Sequence, residues 1–403
     1  MSQPLRRTRN DLIATAVITA IAIILLAIAF FTAPIRSSHL EPAAEEYENA
    51  GRLAVVPSKV EEAFRLPDTS PGVQPVIAAG MIITYNDGTI TATTPTGDTA
   101  WTYKRPNELC LLGHAWDKVV AAYRDNAGCG DVVTINALTG EYAGTRSAIA
   151  PEVITRVQSN DRVGYVSSHR VELWRSDMVK TVEYGYNEAP QEPDMQPESC
   201  TINSALTRTD IMATTEYCDD GPKLKFQNTT PEDSREPEMY ESVDISENAY
   251  LVAVSQDAAA IYDPDSHKVR TYDKDGNDLA ASEIPPLDGP QKIDQIVDVL
   301  PVADLPHHMT YHEGDTLLLM EPSRLSVTGV FQGALGTGFP AGERLLYASD
   351  TGIAVANWDD NKVEKIIPVD RGGYTGPVYI DSAGTTIVEK RGEEIVVLNT
   401  NLS

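Results

Sequence analysis

The chain has 403 residues, 32 Lys and Arg against 59 Asp and Glu, and a formal charge of −27. That acidity argues against nucleic acid as a partner and against adsorption to anionic lipid headgroups, because both need clustered basic side chains. With 42% hydrophobic residues the chain can bury a sizeable core, as one large domain or two to three ordinary ones.

Residues 1–11 read as a short cytoplasmic stub carrying Arg6, Arg7 and Arg9. Residues 12–33 follow without a charge. As a helix such a run spans ~33 Å, enough to cross a hydrocarbon core. It is longer than the apolar region of a cleaved signal peptide, and A-x-A triplets such as Ala27-Ile28-Ala29 lie inside it, so it reads as an uncleaved anchor in the lipid bilayer. The basic flank keeps the amino terminus inside the cell and places everything after Ile35 outside. Thr15, Ala16, Thr19 and Ala20 put small side chains near one face of this helix. Removing the stub leaves 29 basic and 58 acidic residues on the exterior, which suits solubility.

Residues 34–50 read as a polar juxtamembrane linker, and residues 51–403 as one extracytoplasmic domain. Ser58-Lys-Val-Glu61 has capping-box spacing, predicting a short helix that runs to Phe64. Leu66 to Pro71 breaks it. From Val76 onward the chain shows short β-rich runs separated by turn signals, and no long amphipathic helix. Val76 to Tyr85 gives two strands, Asn86-Asp87-Gly88 turns the chain, and Thr89 to Thr94 and Thr99 to Tyr103 complete a unit. The grammar recurs at Lys118 to Arg124 and Val132 to Asn136, then from Arg162, Tyr250, Leu317, Leu345 and Val378.

The repeat length is loose, about 35–55 residues, and one four-stranded meander per period is the mark of a β-propeller. The fold class is therefore all-β, a propeller of eight blades, with seven the alternative and a pair of β-sandwiches the rival architecture. The fourth unit is stretched over residues 190–243, with the acidic insert Asn228 to Tyr240 expected as a solvent loop. The last unit is one strand short, and Gly51 to Pro57 is the segment expected to complete it and close the ring.

The four cysteines, Cys110, Cys129, Cys200 and Cys218, allow three connectivities. Pairing neighbours in sequence is the simplest, each bridge closing a short loop and stabilising by ~3 kcal/mol. No C-x-x-C occurs, which argues against a zinc ribbon or a thioredoxin-type redox site.

Asp273, Asp275, Asn277 and Asp278 are a calcium candidate, since carboxylates and an amide are hard oxygen ligands. Asp278 stands where a calcium loop wants glycine, and Ile284 where it wants a bidentate glutamate, so a plain β-turn competes. His307, His308 and His312 are the densest cluster of imidazoles, but on a strand His308 and His312 would lie ~13 Å apart. No G-x-S-x-G, H-E-x-x-H or phosphate loop is present, and no catalytic or cofactor-binding residue is assigned.

Thr96-Gly97-Asp-Thr-Ala-Trp101 and Ala137-Leu-Thr139-Gly140 resemble the A-x-D-x-x-T-G-x-x-x-W repeat of quinoprotein-like propellers. The second copy has Gly144 where the repeat has tryptophan. In that family the Thr-Gly makes a tight turn and the Trp docks between blades, which implies these roles for Thr96, Gly97, Trp101, Thr139 and Gly140. Trp101 to Cys110, Tyr123 to Cys129 and Trp174 to Cys200 are similar to a family of single-pass actinobacterial envelope proteins without an assigned activity. Quinoprotein dehydrogenases on this fold often carry vicinal cysteines and a full tryptophan set, and this chain has neither. The resemblance thus points to non-catalytic members such as the propeller lipoprotein that scaffolds outer-membrane protein assembly.

The functional expectation is a membrane-anchored, non-enzymatic interaction scaffold or accessory subunit of an envelope or membrane protein complex, with loops 186–200 and 228–243 choosing the partner. The alternatives are a calcium or ligand sensor using the central channel, and a quinoprotein-type enzyme.

Overall fold

The computed structural model describes residues 8–188, 190, 195–197, 200–287 and 300–402. Arg6 and Arg7 of the expected stub, and Ala189 and part of loop 186–200, lie outside the described residues. The first element is a helix, Arg9–Thr32, with Thr8 as N-cap and a reciprocal capping box to Asp11. It is long and apolar enough to cross a membrane, and none of its side chains is buried against the rest of the chain. Thr15 and Thr32 donate their hydroxyls to the carbonyls of Asp11 and Ile28, four residues back, at 2.8 and 2.7 Å.

The remainder folds into eight antiparallel sheets in sequence order, an eight-bladed β-propeller. Blade 1 runs from Val76–Ala78 at the axis through Met81–Asn86 and Thr89–Thr93 to Thr99–Lys104. Blades 2 to 7 begin at Leu109, Thr155, Thr201, Tyr250, Val302 and Phe339, and blade 8 at Val378. The core lies between neighbouring blades rather than within any one. Leu111, Val120 and Val132 of blade 2 share an apolar cluster with Val163, Tyr165 and Trp174 of blade 3. Ile77 and Ile82 of blade 1 share one with Val388, Ile395 and Val397 of blade 8. A strand sandwiched this way is buried on both faces. Tyr250–Val254 and Ala258–Asp263 of blade 5 are buried throughout, whereas the outermost strand, Asp278–Glu283, is largely wet. Inner strands therefore read as continuous apolar runs and only outer strands alternate.

The hairpins carry the expected chemistry. Asp87 and Gly88 both have positive φ, 50° and 77°. That is the type I′ geometry whose twist matches antiparallel strands, and Asp-Gly is its usual sequence.

Ring closure departs from expectation in one respect. The fourth strand of blade 8 comes from the amino-terminal side, but it is Lys59–Pro67, not Gly51 to Pro57. It pairs antiparallel with Glu394–Asn401, from Lys59 opposite Asn401 to Pro67 opposite Glu394. The same strand replaces the helix expected over Ser58 to Phe64. The capping-box signal is local, whereas the unpaired edge of Glu394–Asn401 offers a full ladder of backbone hydrogen bonds that an isolated two-turn helix cannot match.

Residues 34–50 are not a free spacer either. His39–Glu41 adds a fifth strand to blade 1, pairing with Thr99–Lys104. The chain then crosses the opposite face of the ring. Ala43 and Tyr47 donate backbone N–H groups to Thr139 and Leu138 of blade 2, and Gly51 accepts from Gly384 of blade 8. Leu53 is buried and donates its N–H to the Ser382 hydroxyl at 3.2 Å. Gly80 has room for no Cβ, because Ala50 lies 2.8 Å from where one would sit.

Candidate functional site

The repeat motifs locate the joints between blades. The Trp101 side chain is 1% exposed and its indole N–H donates to the Ala137 carbonyl of blade 2 at 2.8 Å. Gly140, at φ +70°, lies beneath it: a Cβ there would stand 2.6 Å from Trp101 Cβ. The tryptophan of the first repeat thus docks on the Thr139-Gly140 turn of the second. At the neighbouring joint Gly97, at φ +100°, faces the Phe64 ring, 3.3 Å from a would-be Cβ. Phe64 sits on the closing strand, so a phenylalanine that no motif match marked holds blade 8 to blade 1. Thr96 shares its hydroxyl with Thr94 and Asp98 at 2.8 and 2.9 Å, fixing that turn.

The cysteines pair as neighbours, Cys110 with Cys129 and Cys200 with Cys218, at Cα separations of 6.0 and 4.5 Å. Both bridges lie on one face of the ring, where each inner strand starts; we call it the entry face. Each ties the start of an inner strand to the hairpin between the second and third strands of its blade.

Blades 3 and 4 meet through charges. Glu216, 1% exposed at its side chain, ion-pairs with Lys225 at 3.0 Å and accepts the Tyr184 hydroxyl at 2.8 Å. Burial, then the Glu216 carboxylate, holds the Tyr184 phenol well above its ordinary pKa. In blade 3 the Glu172 carboxylate binds Arg146 at 2.7 Å and Arg170 at 3.2 Å. The contacts that cross between blades, Arg146 to Glu172 and Tyr184 to Glu216, join residues 26 and 32 apart and carry no motif. The acidic insert is not a free solvent loop: Glu183 donates its N–H to the Ser234 carbonyl at 3.0 Å, so the loop covers the outer edge of blade 3.

The calcium candidates form a turn. Asp273 accepts the N–H groups of Asp275 and Asn277 at 3.0 and 2.8 Å, and the Asn277 amide as well. Asp278 points elsewhere, toward Arg270 at 3.9 Å. Among the described residues the one convergence of three potential metal ligands is Cys200, Glu216 and Cys218, two of which are spent in a disulfide. The histidines separate: His312 is buried between the Tyr379 hydroxyl at 3.2 Å and the Ala334 carbonyl at 3.0 Å, while His308 lies tilted over Trp358 and His307 meets the same indole edge-on.

Two surfaces remain for function. One is the entry face, where Val73, Ile149, Val153, Tyr186 and Tyr374 stand exposed on connections between blades, Val153 at 73%. A groove beside them is lined by Pro71, Val73, Cys110, Leu111 and Ile154. The other is the central channel, a cavity of about 190 Å³ to which every blade contributes. Its charged lining includes Arg52, Arg156, Arg208, Asp304 and Asp381. Burial, then the nearby Arg156 and Arg52, lowers the pKa of His114 to about 3, so its imidazole is neutral in the channel wall.

No family model and no curated protein matches the chain. Solved structures do. The chain is similar to BamB from Moraxella catarrhalis, with a TM-score of 0.50 and 11% identity over 84% of this chain and 99% of that one. It is similar to the computationally designed Ika8 protein, with a TM-score of 0.52 and 12% identity over 86% and 99%. It is similar to Sqt1 of Saccharomyces cerevisiae, with a TM-score of 0.51 and 11% identity over 86% and 100%. At these identities the likeness establishes the propeller fold.

Proposed function

We propose that this protein is a membrane-anchored, non-enzymatic propeller that acts as an interaction scaffold or accessory subunit within a protein complex of a bacterial envelope. The helix Arg9–Thr32 is the anchor, with the amino terminus cytoplasmic and the ring on the oxidising side, where the two disulfides persist.

The observation that carries this reading is the shortness of the tether. Residues 33–38 alone separate the helix from the strand His39–Glu41. Six residues reach ~20 Å at most. His39 pairs with Lys104, at the entry-face end of blade 1's outer strand. The anchor therefore holds the entry face, with its exposed Val73, Ile149 and Val153, close to the membrane and to other membrane proteins. Fully desolvated aromatic side chains tend to dominate interface energy, and Tyr186 and Tyr374 are the exposed aromatics on this face, with the aliphatic side chains excluding water around them. The likeness to BamB and the resemblance to the assembly-scaffold propellers favour contact over turnover.

Purification of the full chain from membranes in mild detergent tests this. A stoichiometric membrane-protein partner is expected to co-purify, and to be lost with Ile149→Asp and Val153→Asp combined. A chain that purifies alone, or whose partner ignores these substitutions, contradicts the reading.

A further inference from the structure

We propose that the central channel binds a small oxyanion, a carboxylate or a phosphate, held between the guanidinium groups of Arg156 and Arg52. This is independent of the scaffold role, because it uses the axis of the ring rather than its entry face.

The charge arrangement is the starting point. In a chain of net charge −27, three arginines line the channel. Arg208 is neutralised by Asp304 at 3.0 Å. Arg156 has no carboxylate within ion-pair distance among the described residues. It spends one N–H on the Leu112 carbonyl of blade 2, at 2.8 Å. A guanidinium has five N–H donors in a planar fork, and no other protein acceptor meets this one among the described residues. Burial draws its pKa down to about 10, so it stays charged at neutral pH while poorly solvated. Arg52, on the strap that crosses the ring, lines the same cavity with no hydrogen bond or ion pair of its own among the described residues, and both guanidinium charges act on His114. The remaining carboxylate of the lining, Asp381, has its pKa raised by burial against the opposing pull of Arg52.

The position of Arg156 is built into the fold. It crosses from blade 3 to blade 2 over Gly113, where a Cβ would stand 2.7 Å from both Arg156 Cδ and Gln158 Oε1. Gly113 has ordinary backbone angles, so glycine is needed there for the space above it and not for its φ. His114, the next residue, is neutral and offers a ring N–H or lone pair without adding charge. A cavity of about 190 Å³ admits an ion of a few heavy atoms and excludes a nucleotide. An oxyanion is the chemistry that matches two planar forks, because paired oxygens accept two N–H bonds from each.

The test uses the full chain in mild detergent at pH 7.5, with sodium phosphate, sodium succinate and sodium chloride compared at equal ionic strength. Thermal unfolding and calorimetric titration are the readouts. Phosphate or succinate is expected to raise the Tm saturably above chloride, and whichever does so identifies the class. Arg156→Gln should abolish the response, and Gly113→Ala and Arg52→Gln should each weaken the apparent affinity at least tenfold. Each variant is read as its ligand-induced shift relative to its own Tm in chloride, and Arg52→Gln, which removes no hydrogen bond or ion pair among the described residues, carries the test if Arg156→Gln or Gly113→Ala fails to fold. Identical unfolding curves in the three salts would overturn the proposal, as would a saturable response that survives Gly113→Ala and Arg52→Gln.

Discussion

The joint between blades 1 and 2 and the joint between blades 3 and 4 do the same mechanical task with different chemistry. The first turns on an aromatic plug, Trp101 over Gly140 with its indole N–H satisfied by the Ala137 carbonyl, and adds an Arg105–Asp131 ion pair at its entry-face end. The second is ionic: Glu216, Lys225 and Tyr184, beside the Cys200–Cys218 bridge, with Lys225 Nζ 3.3 Å from Cys200 Sγ. An aromatic plug gains from every methylene it buries. A buried ion pair merely offsets the desolvation of its own charges, so its value shows mainly when one partner is removed. The propeller therefore closes its joints with either device.

The contrast can be broken from both sides. Trp101→Ala should cost ~3–5 kcal/mol in urea unfolding of the full chain, by lost burial and the cavity left behind. Glu216→Ala should cost a similar ~3–5 kcal/mol, because Lys225 is left charged in a dry joint. The two part company in the compensated variant: Glu216→Leu with Lys225→Met should recover most of the loss, whereas no second change at Ala137 or Gly140 rescues Trp101→Ala. Replacing Cys200 and Cys218 together by serine should cost ~2–4 kcal/mol through the freed unfolded chain. Phe64→Ala, at the half-buried equivalent joint between blades 8 and 1, should cost less, ~1.5–3 kcal/mol.

The smallest effect is a pH dependence. The folded-state pKa of His114 is about 3, far below its ordinary value near 6.5, so folding favours the neutral ring. Its contribution is complete above pH 6.5 and declines as the pH falls toward 3, since only the unfolded chain takes up the proton readily. His114→Gln should flatten the stability profile between pH 6.5 and 5, where most carboxylates are still ionised. An unchanged slope would show that the imidazole is not held neutral.

Much of the architecture was legible because turns and inner strands announce themselves locally. Asp87-Gly88, Thr96-Gly97 and Thr139-Gly140 mark tight turns, and runs such as Tyr250 to Val254 mark strands buried on both faces. The apolar helix and the neighbour pairing of cysteines were equally local. What escaped was set by distant partners. Lys59 to Phe64 carries a helix-start pattern, yet becomes a strand because its mate lies more than 300 residues away, at Glu394–Asn401. Phe64 does the work of a motif tryptophan without a motif. Arg52 and Arg156 acquire meaning only when the ring brings a strap and two blades to one axis. The calcium-like run illustrates the converse: Asp273 spends its carboxylate on turn N–H groups, which a composition of hard ligands does not reveal.

The most direct test of the scaffold account is site-specific photo-crosslinking of the full chain in intact cells, with the probe at Val153 on the entry face and, separately, at Val363 on the outer strand Lys362–Pro368 of blade 7. The account predicts a discrete adduct with one membrane-associated protein from Val153 and none from Val363. Adducts of equal pattern from both positions, or none from Val153, would contradict it.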